Sequence, residues 1–265
     1  MTGPFPLEGI LTKDTMKQYI VTPDKHFPLH DKKAINCVTK IIEAVKPDGY
    51  IDLGDSGEWG SCSHWQWKRK TKPPLEYYLP HIIQEIEDVN KGMDILDEAL
   101  DKANVKEKHF ITGNHDQWLE YFVEEFPYLD QYGLKKAIKL EERGYQSKPL
   151  GELLEIGDMS FYHGHNYSGM NHASNHCRQY KQNIMYGHHH DVQVYTDKSA
   201  KGPITAYSIG CLKDMSPEVN GFVGGRPMNW KHALAIVTFH GPNSFVNVIE
   251  IKNGKAIVNN KLIEG

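Results

Sequence analysis

The stretch Tyr186-Gly187-His188-His189-His190-Asp191 sets three histidines side by side, directly after the apolar-leaning Asn183 to Met185. Imidazole is the commonest side-chain metal ligand. Successive side chains of an extended chain point to opposite faces, so His188 and His190 are expected to share a face while His189 looks away. Two imidazoles on one side of a strand end can grip a metal; by composition alone the same string also reads as a His-rich surface turn. Four other places repeat the pattern of ligand-type residues just where an apolar run ends. They are Asp24-Lys25-His26 after YIVTP, Gly54-Asp55 after YIDL, Gly113-Asn114-His115-Asp116 after HFIT, and His163-Gly164-His165 after MSFY. Asp24 and His26 are again spaced i and i+2. In open α/β sheets, ligand sites collect beyond the carboxyl ends of strands, so such segments can meet although they lie far apart in sequence. Singly, each also reads as a turn or cap beside glycine.

The elements that must position these residues follow from periodicity. Residues 17–26 read as a short strand running into a loop. Residues 30–45 read as a helix, with Ala34, Ile35, Val38, Ile41, Ile42 and Val45 at helical spacing and Pro47-Asp48-Gly49 as the stop. A second strand at 49–57 completes a strand–helix–strand opening, which argues for an α/β sheet with parallel neighbours. Residues 58–74 form a Trp- and Lys-rich loop ending in Pro73-Pro74, and 75–103 carry helical periodicity interrupted at Gly92. Together they predict a loop-helix cap insertion at about 58–105. A third strand at 108–116 is followed by helical stretches at 116–126 and 133–142. From 150 onward the pattern changes to short alternating runs at 151–158, 159–165, 183–188, 192–196, 203–210, 233–240 and 244–251, with one helix near 169–181. No repeat or linker divides the chain, so 1–265 is expected to be one domain built on two packed sheets.

Composition narrows the class. With 265 residues, 39% of them hydrophobic and 24% charged, the chain can bury a sizeable core. A formal charge of -4 is too small to hold a polyanion by bulk attraction, so any affinity for nucleic acid must come from a local patch. Cys37, Cys62, Cys177 and Cys211 form no CxxC pair and fit reduced thiols in a cytosolic setting. The opening MTGPFPLEGILTKD has no basic segment followed by an apolar run, and no stretch approaches the ~20 apolar residues of a membrane span. A soluble, unexported, cytoplasmic protein is expected, in the host cytoplasm if phage-encoded, and the sequon at Asn166-Tyr167-Ser168 then has no meaning. Fifteen histidines are more than double what usage of about 2% would supply.

Taken in order, DxH, GD, GNH, H and GHxH resemble the calcineurin-like metallophosphoesterase superfamily, over about residues 17–251. The matching positions are Asp24, His26, Asp55, Asn114, His115, His163, His188 and His190. The layout is most similar to phosphoesterases of bacteriophages, through Trp118 after GNHD, the YHGH string, and Gly210-Cys211-Leu212 followed by Asn229-Trp230. The resemblance implies a four-layer αββα sandwich of two mixed β-sheets flanked by helices.

It also implies a chemistry. Hydrolysis of a phosphate ester needs a nucleophile, neutralisation of the phosphoryl oxygens and help for the leaving alkoxide. Two cations about 3.5–4 Å apart supply the first two by acidifying a bridging water and clamping the phosphate. In the family the GD aspartate, here Asp55, bridges both ions. Asp24, His26 and His190 then complete one site, and Asn114, His163 and His188 the other. Two divalent ions, two carboxylates, a hydroxide and neutral imidazoles leave about one positive charge to attract phosphate. Nitrogen and oxygen donors without thiolate suit Mn²⁺ first, then Fe, Zn²⁺ or Ni²⁺. His115 would protonate the leaving group. Glu58 stands where the family usually has Asp, and could orient His115 by a hydrogen bond. Trp59 stands where the protein-phosphatase branch has Arg, which argues against a phosphoprotein phosphatase. His163 and His165 compete for one ligand position; the family places the ligand directly before a Gly, which favours His163 and leaves His165 to contact phosphate. His189 is left to solvent or substrate.

The expected activity is hydrolysis of a phosphodiester, in nucleic acid or a nucleotide, by attack of a metal-bridging hydroxide. The alternatives are a phosphomonoesterase acting on a small metabolite and a catalytically weak, metal-stapled nucleic-acid-binding module. In HWQWKRKTK (64–72), Trp65 and Trp67 interleave with Lys68, Arg69, Lys70 and Lys72. Such a stretch can stack bases and track a phosphate backbone, or equally be a solvated cap whose tryptophans pack onto the helix at 75–103. Arg178 and Lys181 are read as solvated.

Overall fold

A computed structural model describes residues 16–265. The leader on which the expectation of no export rests lies outside the described residues. The first sheet takes β1 (Met16–Thr22), β2 (Gly49–Asp52), β3 (Glu107–Ile111) and β4 (Tyr145–Lys148) as parallel neighbours. Antiparallel β10 (Ala233–His240) and β11 (Asn243–Glu250) extend it beside β1. The central strands are buried on both faces, which is why they read as near-continuous apolar runs. Ile20, Tyr50 and Phe110 face the helices, whereas Tyr19, Val21, Ile51 and Ile111 face the second sheet.

The second sheet is built from β5 (Leu154–Ile156), β6 (Met159–Phe161), β7 (Asn183–Tyr186), β8 (Val192–Ser199) and β9 (Gly202–Ile209), in the order β5-β6-β7-β9-β8. Leu154, Met159, Phe161, Met185 and Ile209 fill the space between the sheets. Outside the first sheet lie α1 (Lys32–Val45) and α3 (Leu75–Lys102), and outside the second lies α6 (His172–Tyr180), whose Cys177 packs with Ile184, Tyr186 and Ala206. The result is the αββα sandwich that the resemblance implied.

The structure departs from the periodicity in four places. Helix α3 runs unbroken through Gly92, where a Cβ would stand 2.3 Å from Cγ and Cδ1 of the buried Phe27 ring; the glycine marks close packing, where the sequence suggested a break. Val89, Met93, Leu96 and Leu100 of that helix belong to the main core, while residues 58–74, with the short α2 (His64–Trp67), lie beside the site described below. Helix α4 (Asn114–Glu125) begins two residues before the apolar pattern does, so Asn114 and His115 occupy its first turn. Of the helix expected at 133–142, only α5 (Leu134–Ala137) forms. Strand β4 and the hairpin of β12 (Lys255–Val258) and β13 (Lys261–Glu264) were not read, being four residues each, too short to show a period. All four cysteines are free. No helix among the described residues is long and apolar enough to cross a membrane.

Candidate metal centre

Five loops, leaving β1, β2, β3, β6 and β7 at their carboxyl ends, meet over the sandwich. Two glycines let them interlock. A Cβ on Gly113 would stand 2.1 Å from Asp55 Oδ1, and one on Gly187 would stand 2.0 Å from Asp24 Oδ2. Backbone bonds fix the meeting. The Asp55 carbonyl accepts from the N–H groups of Lys25 and His26 at 3.1 and 2.9 Å. The His115 N–H donates to Asp55 Oδ1 at 2.8 Å, and the His188 N–H donates to Asp24 Oδ2 at 2.8 Å. Beneath them, Lys25 Nζ pairs with Asp52 at 2.6 Å, both fully buried.

His188 and His190 both line the cavity over the site while His189 turns away, as expected, but a loop and not strand alternation produces this. Strand β7 ends at Tyr186, and His188 and His190 sit in the loop with left-handed φ of 64° and 63°. They turn to different partners in consequence. His26 and Asp55 share the left-handed region, with φ of 52° and 46°. Such backbone is costly for residues other than glycine and persists where the surroundings impose it, most often at functional sites.

Ligand-type atoms fall into two adjoining groups, Asp24 with His26 and His190, and Asp55 with His163 and His188. In the first, His26 Nε2 lies 3.1 Å from His190 Nε2, and His190 Nε2 lies 3.6 Å from Asp24 Oδ1. In the second, His163 Nε2 lies 2.9 Å from Asn114 Oδ1, 3.2 Å from His188 Nδ1 and 3.3 Å from Asp55 Oδ2. That same Asp55 oxygen is 3.9 Å from His26 Nε2, so one carboxylate oxygen faces both groups.

The donor set fits divalent cations. With bonds of about 2.1 Å, neighbouring ligands stand about 3.0 Å apart around an octahedral ion and about 3.4 Å apart around a tetrahedral one. The proton placement agrees. His163 Nδ1 lies 2.9 Å from the Leu53 carbonyl, which can only accept, so a neutral His163 presents a bare Nε2 to the oxygens of Asn114 and Asp55. Lone pairs then face lone pairs, and only a cation or a proton reconciles them. A proton is favoured at the same place. Burial works to discharge His163, but Asp55 and Asp24 outweigh it and raise it to about 9. Burial likewise opposes ionising Asp24, yet His190 and His163 hold it at about 2.

Glu58 does not serve His115 through its side chain, as the sequence suggested. Glu58 Oε2 stands 2.8 Å from His26 Nδ1, off the ideal N–H line, and 2.8 Å from Lys213 Nζ. It is the Glu58 backbone carbonyl that receives His115 Nδ1–H, at 2.8 Å. Burial pushes the Glu58 carboxyl up, but His26 and Lys213 overcome it and bring it to about 2. The His115 ring lies against Trp118, centroids 4.0 Å apart, and its ligand-type atom is also near those of His26 and Asp55. Trp59 is fully buried, its indole N–H donating to Asp116 at 2.9 Å.

A cavity of about 790 Å³ opens over the two groups. Of the expected substrate contacts, Trp65 lines it, whereas Trp67, Lys68, Arg69, Lys70 and His165 do not. Trp67 lies 6.3 Å from the Tyr78 ring in a neighbouring cavity, Lys68 caps the Trp65 ring at 4.5 Å, and Lys72 pairs with Glu125 at 2.6 Å. The His165 ring is 6.2 Å from that of His163 and outside both groups. His189 faces the other way and stacks on His172 at 3.8 Å. With His176 these form a third histidine group, but both ring nitrogens of His172 are engaged, by Tyr186 Oη and Asp191, so it braces the 187–191 loop. Sequence reasoning missed Lys213, Phe222 and the role of Trp230, which line the cavity. Lys213 follows Gly210-Cys211-Leu212 directly, and that string with Trp230 was the available signal.

The layering and the order of the ligand-bearing loops are those that the sequence resemblance implied. No family model matches the chain. The gene 54 protein of Mycobacterium phage L5 is 20% identical over 267 residues, spanning 94% of this chain and 99% of that one. Among solved structures, wild-type Vps29 from Entamoeba histolytica complexed with Zn²⁺ is 14% identical with a TM-score of 0.44, covering 94% of this chain and 97% of its own. YfcE, a phosphoesterase from E. coli, is 16% identical with a TM-score of 0.40, covering 83% and 90%.

Proposed function

We propose that this protein is a metal-dependent phosphoesterase that hydrolyses phosphodiesters of nucleotides or nucleic acid. The observation that carries this is the single Asp55 oxygen set between two groups of acceptors whose lone pairs face each other. Bound there, two divalent cations, Mn²⁺ first and then Fe, Zn²⁺ or Ni²⁺, would supply an acidified water and neutralise the phosphoryl oxygens. Asp24, His26 and His190 would hold one, Asn114, His163 and His188 the other, and Asp55 both.

The remaining residues have their own work. Because the Glu58 carbonyl holds His115 by Nδ1–H, Nε2 is left to carry a proton toward the leaving alkoxide. Glu58 steadies His26, and Lys213 balances Glu58. The whole chain is taken as one domain, with residues 58–74 capping the cavity, and the four free thiols suit a reducing cytoplasm.

Turnover of bis- against mono-nitrophenyl phosphate with Mn²⁺, for wild type and His115→Ala, tests this. Faster hydrolysis of the diester, lost in the variant with Mn²⁺ still bound, supports it. Preference for the monoester would make the protein a phosphomonoesterase, and no turnover with metal bound would make it a binding module.

A further inference from the structure

We propose that the cavity is a slot for a nucleobase, so that the substrate is a nucleotide-sized phosphodiester and not a long strand. This rests on the hydrolytic reading above and narrows it. Two arms of aromatic rings leave the candidate centre. On one, Trp118 packs on His115 at 4.0 Å, and His64 lies between Trp118, at 6.2 Å, and Trp65, at 4.5 Å; on the other, Trp230 packs on His190 at 4.4 Å, and Phe222 lies 6.4 Å from Trp230. All four rings line the same cavity.

Two of them are left open. Trp65 is 58% and Phe222 70% exposed, so a ligand in the cavity can reach both rings, the Trp65 face under Lys68 excepted. Planar π-faces beside a phosphate-seeking centre suit a planar ring carried on a phosphate, since every base has a face to stack. At about 790 Å³ the cavity falls within the range of small-molecule sites, about 300–1,000 Å³. Charge argues against a strand. Among the described residues lining the cavity, Lys213 is the sole lysine or arginine, and it is already paired with Glu58. A polyanion is tracked by a row of cations, whereas Arg69 and Lys70 do not line the cavity and Lys68 meets it only at the rim, on the Trp65 ring.

The test is an equilibrium titration of the Mn²⁺-loaded protein, followed by tryptophan fluorescence, with AMP, adenosine, ribose 5-phosphate and a single-stranded oligonucleotide. AMP is expected to bind at least about tenfold tighter than ribose 5-phosphate, the gain of one stacked base. Phe222→Ala and Trp65→Ala should each remove most of that ratio, while Phe245→Ala, an exposed ring on β11, should keep it. Equal binding of AMP and ribose 5-phosphate, or an unchanged ratio in both cavity variants, would overturn the slot. An oligonucleotide bound more than tenfold tighter than AMP would overturn the size limit. Hydrolysis of bis-nitrophenyl phosphate, measured alongside, separates the two claims. Turnover without base preference removes only the slot, and base preference without turnover removes only the hydrolytic reading.

Discussion

Replacing Glu58 by Gln distinguishes two roles for this carboxylate. Its Oε2 lies 2.8 Å from both His26 Nδ1 and Lys213 Nζ, whereas His115 depends only on the backbone carbonyl of the same residue. Removing the charge therefore withdraws support from His26 and leaves His115 in place. Partners that orient metal-binding histidines typically change affinity by about 10–100-fold. Here the side chain is 24% exposed and the contact with His26 is bent, which places the effect near the lower end. The expected outcome is one of two Mn²⁺ sites weakened about tenfold, near 1.4 kcal/mol, with the other unchanged. Calorimetric titration with Mn²⁺ reads this directly, and the pH profile of diester turnover should keep its shape. Unchanged Mn²⁺ binding with a displaced pH limb would refute the reasoning and return Glu58 to His115.

Three further outcomes are expected. Gly92→Ala gains about 1 kcal/mol of helix propensity but forces a Cβ to within 2.3 Å of Phe27, an overpacking that costs about 1–3 kcal/mol, so Tm should fall by several degrees; a rise would show that Phe27 yields. Glu107 is held down at about 2, first by His109 and then by Tyr19 and Lys17 against the pull of burial, so its contribution is present above pH ~4.5 and lost as pH falls toward 2. With 31% of that side chain exposed, the contribution is about 1 kcal/mol; acid-unfolding curves of wild type and Glu107→Gln should differ above pH ~4.5 and converge near 2, and a constant offset would refute it. Mn²⁺ at a hundred times its Kd should add about 2.7 kcal/mol of stability for each site filled, seen as a higher Tm that chelation reverses, and no such shift would count against binding to the folded state.

How far the sequence led depended on distance along the chain. The Asp24, Asp55, Asn114, His163 and His188 segments were legible because each ends an apolar run, and sheet geometry gathers such ends. The left-handed backbone by which His188 and His190 reach their separate groups was not, because an alternation rule does not contain it. Nor was the partner of Glu58, since Lys213 comes from a segment 155 residues away. Trp118, Phe222 and Trp230 are scattered among unrelated loops, and only tertiary structure sets them around one cavity. Gly92 shows the opposite limit: a residue that ordinarily weakens helices was kept for the room it gives a ring.

The most direct measurement is anomalous diffraction from crystals grown with Mn²⁺. Two peaks about 3.5–4 Å apart on either side of Asp55 Oδ2 are expected, one against Asp24, His26 and His190 and the other against Asn114, His163 and His188. No peak at Asp55, or manganese only at His172, His176 and His189, would contradict the account.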